Sequence, residues 1–110
     1  MAEDFVKVVE TSQIPTGTMK LFQIDDKPIL ICNVEGKFFA ISGKCTHMGG
    51  DLSKGVLEGN IVTCPRHKSK FDVTNGKVVS HPKIPLIHPI IKDEQTYIVK
   101  IENGVLMLKI

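Results

Sequence analysis

Short hairpin turns divide this chain more regularly than any other feature of its sequence. Glu35-Gly36, Asn75-Gly76 and Asn103-Gly104 each lie between two runs of branched and apolar residues, which is the pattern of a β-hairpin, with the tightest turn expected at Glu35-Gly36. Asp25-Asp26 ahead of Pro28 predicts a looser turn. Nine Gly and six Pro residues interrupt every window of helical periodicity. The sequence therefore predicts an all-β fold, an antiparallel sandwich or barrel.

The predicted strands are rich in β-branched and aromatic residues. They cover residues 5–9, 19–24, 29–34, 38–41, 60–63, 70–73, 77–79, 97–101 and 105–110. One helical turn is expected at residues 52–54. Because no linker or repeat interrupts the pattern, we expect a single domain over residues 1–110, with two functional loops at about residues 42–57 and 63–72.

Composition and charge exclude several classes of protein. The 14 basic and 12 acidic residues give a net charge of +2, and with no Trp and one Tyr the chain offers no basic, aromatic surface for nucleic acid. No apolar run is long enough for a signal peptide core or a membrane span, so we expect a cytoplasmic protein. Three cysteines are an odd number, which excludes a complete disulfide framework, and a reducing compartment keeps thiols available.

Two pairs of soft metal ligands are the strongest chemical signal. Cys45-Thr46-His47 and Cys64-Pro65-Arg66-His67 each combine one cysteine with one histidine among turn-forming residues. Tetrahedral Cys₂His₂ coordination suits a structural zinc ion, although zinc spacing usually pairs cysteine with cysteine. A Rieske-type [2Fe–2S] cluster has two thiolates on one iron and two imidazoles on the other, which matches one of each ligand per loop.

The two motifs resemble the ligand boxes of the Rieske family. Cys45-Thr46-His47-Met48-Gly49-Gly50 is similar to the first box, and Cys64-Pro65-Arg66-His67 followed by Phe71-Asp72 is similar to the second. The similarity extends over almost the whole chain, from Ile14-Pro15-Thr16-Gly17 to the last hairpin. It implies one [2Fe–2S] cluster per chain, with Cys45, His47, Cys64 and His67 as its ligands.

Departures from the family pattern indicate a particular branch. Respiratory members bridge the two loops with a disulfide, and the matching positions here are Gly50 and Arg66. This resembles the soluble, disulfide-free Rieske-type ferredoxins. Lys68 replaces the glycine usual in the family.

The same resemblance implies which side chains tune the cluster. Ser69 matches a serine that donates a hydrogen bond to cluster sulfur, whereas Phe71 replaces a tyrosine that does the same. Met48 resembles a hydrophobic lid residue, and Pro82 belongs to a proline-bearing loop that shields the cluster. Because only one of these two hydroxyl donors is present, we predict a low to intermediate reduction potential within the family range of about −150 to +300 mV.

These features favour a one-electron carrier with no catalysis of its own, serving a reductase, an oxygenase or another redox protein. One alternative is a small subunit similar to that of assimilatory nitrite reductases or part of an oxygenase complex, and another is a structural zinc module. Lys54, Lys68 and Lys70 are candidates for a rim that docks a partner. Cys32 lies in an apolar strand and is interpreted as a core residue, and His81 and His88 as loop or strand-end residues.

Overall fold

The structure, a computed structural model, describes residues 5–46, 50–66, 68–81 and 91–110. Ten strands occur within these residues. They are β1 (Phe5–Glu10), β2 (Met19–Ile24), β3 (Lys27–Val34), β4 (Lys37–Ser42), β5 (Val56–Glu58), β6 (Ile61–Thr63), β7 (Lys70–Asp72), β8 (Val78–Ser80), β9 (Thr96–Glu102) and β10 (Val105–Lys109). Single turns of 3₁₀ helix occur at Thr11–Gln13 and Leu52–Lys54.

The strands form two antiparallel sheets. The larger sheet has six strands in the order β1-β10-β9-β4-β3-β2, and the smaller has four in the order β5-β6-β7-β8. The predicted all-β fold is thereby confirmed. Short β5 was not predicted, because three residues next to Gly55 are too few to show alternation. No helix in the described ranges is long and apolar enough to cross a membrane.

Backbone conformation explains the hairpin turns. Both residues of Glu35-Gly36 and of Asn103-Gly104 have positive φ, as a two-residue turn between twisted strands requires. Asp25 and Asp26 also have positive φ, 49° and 65°, and Ile24 pairs directly with Lys27. The expectation of a looser turn there is wrong, because aspartate tolerates the left-handed region well enough to make a tight turn.

Strand β3 explains how the two halves of the core meet. Its apolar run is buried on both faces, as expected for a strand covered from both sides. Ile29 and Ile31 join a core cluster with Leu106 and Leu108 of the larger sheet. The alternate residues Leu30 and Cys32 join a second cluster that includes the buried face of the smaller sheet. The larger sheet is thus the base on which the smaller sheet and its loops rest.

Candidate metal centre

The first ligand loop, residues 43–52, is closed by its own backbone. The Leu52 N–H donates to the Gly43 carbonyl at 2.9 Å, and the Cys45 N–H donates to the Gly50 carbonyl at 2.7 Å. Lys44 and Asp51 form an isolated antiparallel bridge between these two bonds. The loop therefore begins and ends as a narrow ribbon that fixes the backbone of Cys45.

The second ligand loop, residues 64–69, connects β6 to β7 and closes in the same way. The Cys64 N–H donates to the Ser69 carbonyl at 2.8 Å, so in both loops a cysteine amide bonds to the carbonyl five residues later. Thr63 and Lys70, which flank this loop, are paired in the sheet. This closure fixes Cys64 at the end of a hairpin.

The two predicted cysteine ligands are buried together. Cys45 is 2% exposed and Cys64 is 1% exposed, and both belong to the core cluster that contains the fully buried ring of Phe71. Ser69 is also fully buried, and its Oγ lies 3.4 Å from the Sγ of Cys45. A residue of the second loop thus contacts the thiol of the first, at the position where a hydroxyl can stabilise a thiolate.

Gly50 brings the loops into contact a second time. A Cβ built at Gly50 would lie 3.0 Å from the Cys64 Sγ and 3.1 Å from the Cδ of Arg66. The aliphatic part of Arg66 therefore packs over Gly50. These are the two positions at which the family resemblance placed the bridging disulfide, and here a backbone-to-side-chain contact stands in its place.

The donor set fits an iron–sulfur cluster. No disulfide joins the three cysteines, and Cys45 and Cys64 present soft sulfur donors within one buried cluster. Cys32 differs from them, since burial raises the pKa of its thiol to about 12 and it serves as an apolar core residue. His47, Met48, His67, Pro82 and His88 lie outside the described residues.

Comparison with known proteins agrees with this geometry. The family model of the Rieske [2Fe–2S] domain matches residues 4–92. The chain belongs to the Rieske family. This membership confirms the resemblance in the sequence and the predicted cofactor, one [2Fe–2S] cluster.

Individual relatives of this Rieske chain are ferredoxins. The chain is 37% identical to the ferredoxin component of the naphthalene 1,2-dioxygenase/salicylate 5-hydroxylase systems of Ralstonia sp, over 99% of this chain and 98% of the relative. The ferredoxin of carbazole 1,9a-dioxygenase from Nocardioides aromaticivorans IC177 has the same fold, with a TM-score of 0.84, 23% identity and coverage of 96% and 97%.

A chain in the complex of reduced oxygenase and oxidized ferredoxin of carbazole 1,9a-dioxygenase is also similar. Its TM-score is 0.82, its identity to this chain is 26%, and the match covers 94% of this chain and 99% of that one. The Rieske fold is therefore shared along almost the full length of both chains.

Lys68 in the second loop of this Rieske domain has a left-handed backbone, with φ of 64°. Glycine adopts this region without steric cost, whereas the Cβ of a lysine lies unfavourably close to the backbone there. The glycine usual at this position in the family therefore has a conformational reason, and Lys68 retains the same turn at an energetic cost.

Sequence reasoning missed one buried residue beside the first loop, Glu94. Its carboxylate accepts a hydrogen bond from the Thr46 N–H at 2.9 Å. Burial raises the pKa of the Glu94 carboxyl to about 7, and the bond from Thr46 acts in the opposite direction. In the sequence, Glu94 lies in the polar run Lys92-Asp93-Glu94-Gln95, which resembles an ordinary solvated connection and carries no signal of burial.

Proposed function

We propose that this Rieske chain is a one-electron carrier whose cluster is held by Cys45, His47, Cys64 and His67. The two thiolates would bind one iron and the two imidazoles the other. The observation that carries the assignment is the meeting of the loops, in which the buried Cys45 Sγ contacts Ser69 and the buried Cys64 Sγ lies against Gly50. The cluster supplies reversible uptake of one electron, and the protein supplies its binding site and the polarity around it.

The carrier would take its electron from a reductase and deliver it to an oxygenase. Support comes from the full-length similarity to a ferredoxin component of dioxygenase systems and from the likeness to a chain in an oxygenase–ferredoxin complex. Residues 1–110 would act as one domain with no catalytic centre of their own. We place the carrier in the cytoplasm, where a reducing environment keeps both cysteines as ligands.

Cluster content and electron paramagnetic resonance test the assignment most directly. The purified chain should be red-brown, hold two irons and two acid-labile sulfides, and after reduction give a mean g value below that of an all-cysteine cluster. A colourless protein with one zinc ion would contradict it and support the zinc module instead. A carrier should also elute alone, whereas stable co-purification with a large catalytic subunit would indicate a small subunit of an enzyme.

We propose that the partner docks on basic side chains of the second loop and of the 3₁₀ turn Leu52–Lys54. Lys54 and Lys68 are exposed, and Lys70 is half-buried on β7. Among nearby carboxylates, Asp51 accepts hydrogen bonds from the Ser53 N–H and Oγ, and Glu94 is buried. This arrangement favours a partner with an acidic face around its own redox centre.

A charge-matched comparison tests the docking rim. Replacing Lys54, Lys68 and Lys70 together by Gln should slow electron transfer to the partner at low salt and weaken its salt dependence. The control replaces Lys7, Lys37 and Lys109 by Gln, because these exposed lysines lie on the larger sheet and the net charge changes equally. Equal rates in the two triple variants would remove the docking role of the rim.

A further inference from the structure

A buried carboxylate next to a redox centre needs a physical reason, because burial of a charged group is costly. Glu94 is 5% exposed, and its Oε2 accepts the N–H of Thr46 at 2.9 Å. Thr46 is the residue between Cys45 and His47. The carboxylate thus bonds to one of the two peptide amides that link the two ligands proposed in the first loop.

The Thr46 side chain makes a second bond to the same segment. Its Oγ1 donates to the Lys92 carbonyl at 2.6 Å. We call residues 92–95 the strap. Thr46 is therefore held twice by the strap, once through its backbone and once through its hydroxyl.

The strap is itself anchored to both sheets. The Glu94 N–H donates to the Gly76 carbonyl at 2.7 Å, and the Val78 N–H donates to the Asp93 carboxylate at 2.9 Å. On the other side, the Ser42 N–H at the end of β4 donates to the Gln95 carbonyl at 2.8 Å. Hydrogen bonds to the β7–β8 turn and to β4 therefore fix the position of the strap independently of the first ligand loop.

Gly76 shows that this approach is close. Its φ is 76°, and a Cβ built there would collide with the Glu94 carbonyl oxygen. Only glycine allows the turn and the strap to come this near. The position of Glu94 is thus fixed by packing of its backbone, independently of its bond to Thr46.

We propose that Glu94 positions the first ligand loop and that its carboxylate charge holds the midpoint potential of the cluster down. The inference rests on the proposed electron-carrier function. Reduction adds one negative charge to the cluster, and a carboxylate bonded to a peptide between two ligands opposes that charge. Because the carboxylate is shielded from water, salt screens this repulsion much less than it screens an exposed charge.

Two substitutions separate the charge from the hydrogen bond. Glu94→Gln keeps an acceptor for the Thr46 N–H and removes the charge, whereas Glu94→Ala removes both. In cluster-loaded protein near about pH 8, we expect Glu94→Gln to raise the midpoint while retaining the cluster as the wild type does. We expect Glu94→Ala to raise the midpoint too and to lose its cluster to a chelator about threefold faster or more.

The matched control is Glu58→Gln. Glu58 is exposed and pairs with Ile61 at one end of β5. The opposite end of β5 pairs with Thr63, which lies beside the second loop. The change in net charge is the same as in Glu94→Gln. We expect a much smaller shift of the midpoint, because an exposed charge is screened.

The pH profile distinguishes a charge effect from a structural one. Tyr97 on β9 interacts electrostatically with Glu94. The other titratable groups belong to the segments bonded to it: Lys92 and Asp93 in the strap, Asp72 and Lys77 at the turn of Gly76, and His81, whose Nδ1 accepts the N–H of Ile91 just before the strap. All of these are common to the wild type and Glu94→Gln, so the difference between the two midpoints isolates Glu94. That difference should be small near about pH 5, where the carboxyl is protonated in both redox states, and should grow to a plateau near about pH 8.5.

The outcomes are distinct. A wild-type protein with no Rieske resonance signal would contradict the proposed function itself. If the wild type gives that signal and the Glu94→Gln midpoint equals the wild-type midpoint from about pH 5 to about pH 8.5, only the role of Glu94 is overturned. A Glu94→Gln shift of the same size at every pH would also overturn the charge effect and indicate a distorted loop.

Discussion

The two ligand loops close with the same hydrogen bond but are supported in opposite ways. In each, a cysteine N–H bonds to the carbonyl five residues later. The first loop is then held by the strap, through Lys92 and Glu94, which follow Thr46 by 46 and 48 positions in the sequence. The second is part of the β6–β7 hairpin, and its support comes from the neighbouring pair Thr63 and Lys70.

This difference shows that the cluster site is assembled from one local and one long-range element. A hairpin can form its closing bonds early and alone, whereas the first loop needs the strap and both sheets in place. The loops then meet through Ser69 and Gly50. Variants that change ligands, contacts or backbone strain in one loop at a time test whether the two loops differ in this way.

The largest effect should follow from loss of either proposed cysteine ligand. We expect Cys45→Ser and Cys64→Ser each to abolish the bound [2Fe–2S] cluster, because serine oxygen is a hard donor and a poor substitute for thiolate. Iron and sulfide analysis and the visible spectrum measure this. The matched control is Cys32→Ser, which should retain the cluster while lowering the free energy of unfolding by about 1–3 kcal/mol through a buried hydroxyl. Full cluster occupancy in either ligand variant would contradict the assignment.

A smaller effect is expected at the contact between the loops. Gly50→Ala places a Cβ only 3.0 Å from the Cys64 Sγ and 3.1 Å from the Cδ of Arg66, closer than most real Cβ contacts. The flexible Arg66 side chain can move, whereas a sulfur bound to iron cannot, so the cluster should be lost faster to a chelator. Adding Arg66→Ala relieves only the second contact. Complete recovery in that double variant would show that Arg66, and not Cys64, limits the space.

The hydroxyl that joins the loops should affect the potential more than the binding of the cluster. Ser69→Ala removes the group 3.4 Å from the Cys45 Sγ. A hydrogen bond to a charged group contributes about 1.5 kcal/mol, which for one electron corresponds to about 60 mV. Because such a bond favours the more negative reduced state, we expect the midpoint to fall by up to about that amount. Voltammetry measures the shift, and a rise would contradict the direction.

The smallest effect should come from the backbone of the second loop. Lys68→Gly removes the strain of a left-handed lysine, with φ of 64°, and should stabilise the loop by about 1 kcal/mol. Slower cluster loss on heating would show it. Lys68→Ala provides the control, because it removes the charge and keeps the strain. Equal stabilisation by both variants would trace the effect to charge instead.

Much of the fold followed from local sequence, and the whole proposed ligand set was a prediction from the same source. Nine of the ten strands described were predicted, because branched residues alternate between turns whose residues tolerate positive φ. Cys45, His47, Cys64 and His67 were predicted as ligands from the two motifs and their family resemblance, and the structure buries Cys45 and Cys64 in one cluster. The tight turn at Asp25-Asp26 and the strand β5 were missed, since neither has a distinctive local pattern.

The sequence by itself determined the chemistry, because the kind of metal centre depends on which donor atoms are present and on the turns that carry them. Tertiary structure alone decided how the donors are supported. The Cys45 Sγ contacts Ser69 across 24 residues of chain, and Thr46 bonds to Glu94 across 48. Such contacts exist only after two sheets have packed against each other, so no local pattern marks Glu94 as buried. The proposed ligands could therefore be predicted from the sequence, whereas the burial of the carboxylate beside them is visible only in the fold.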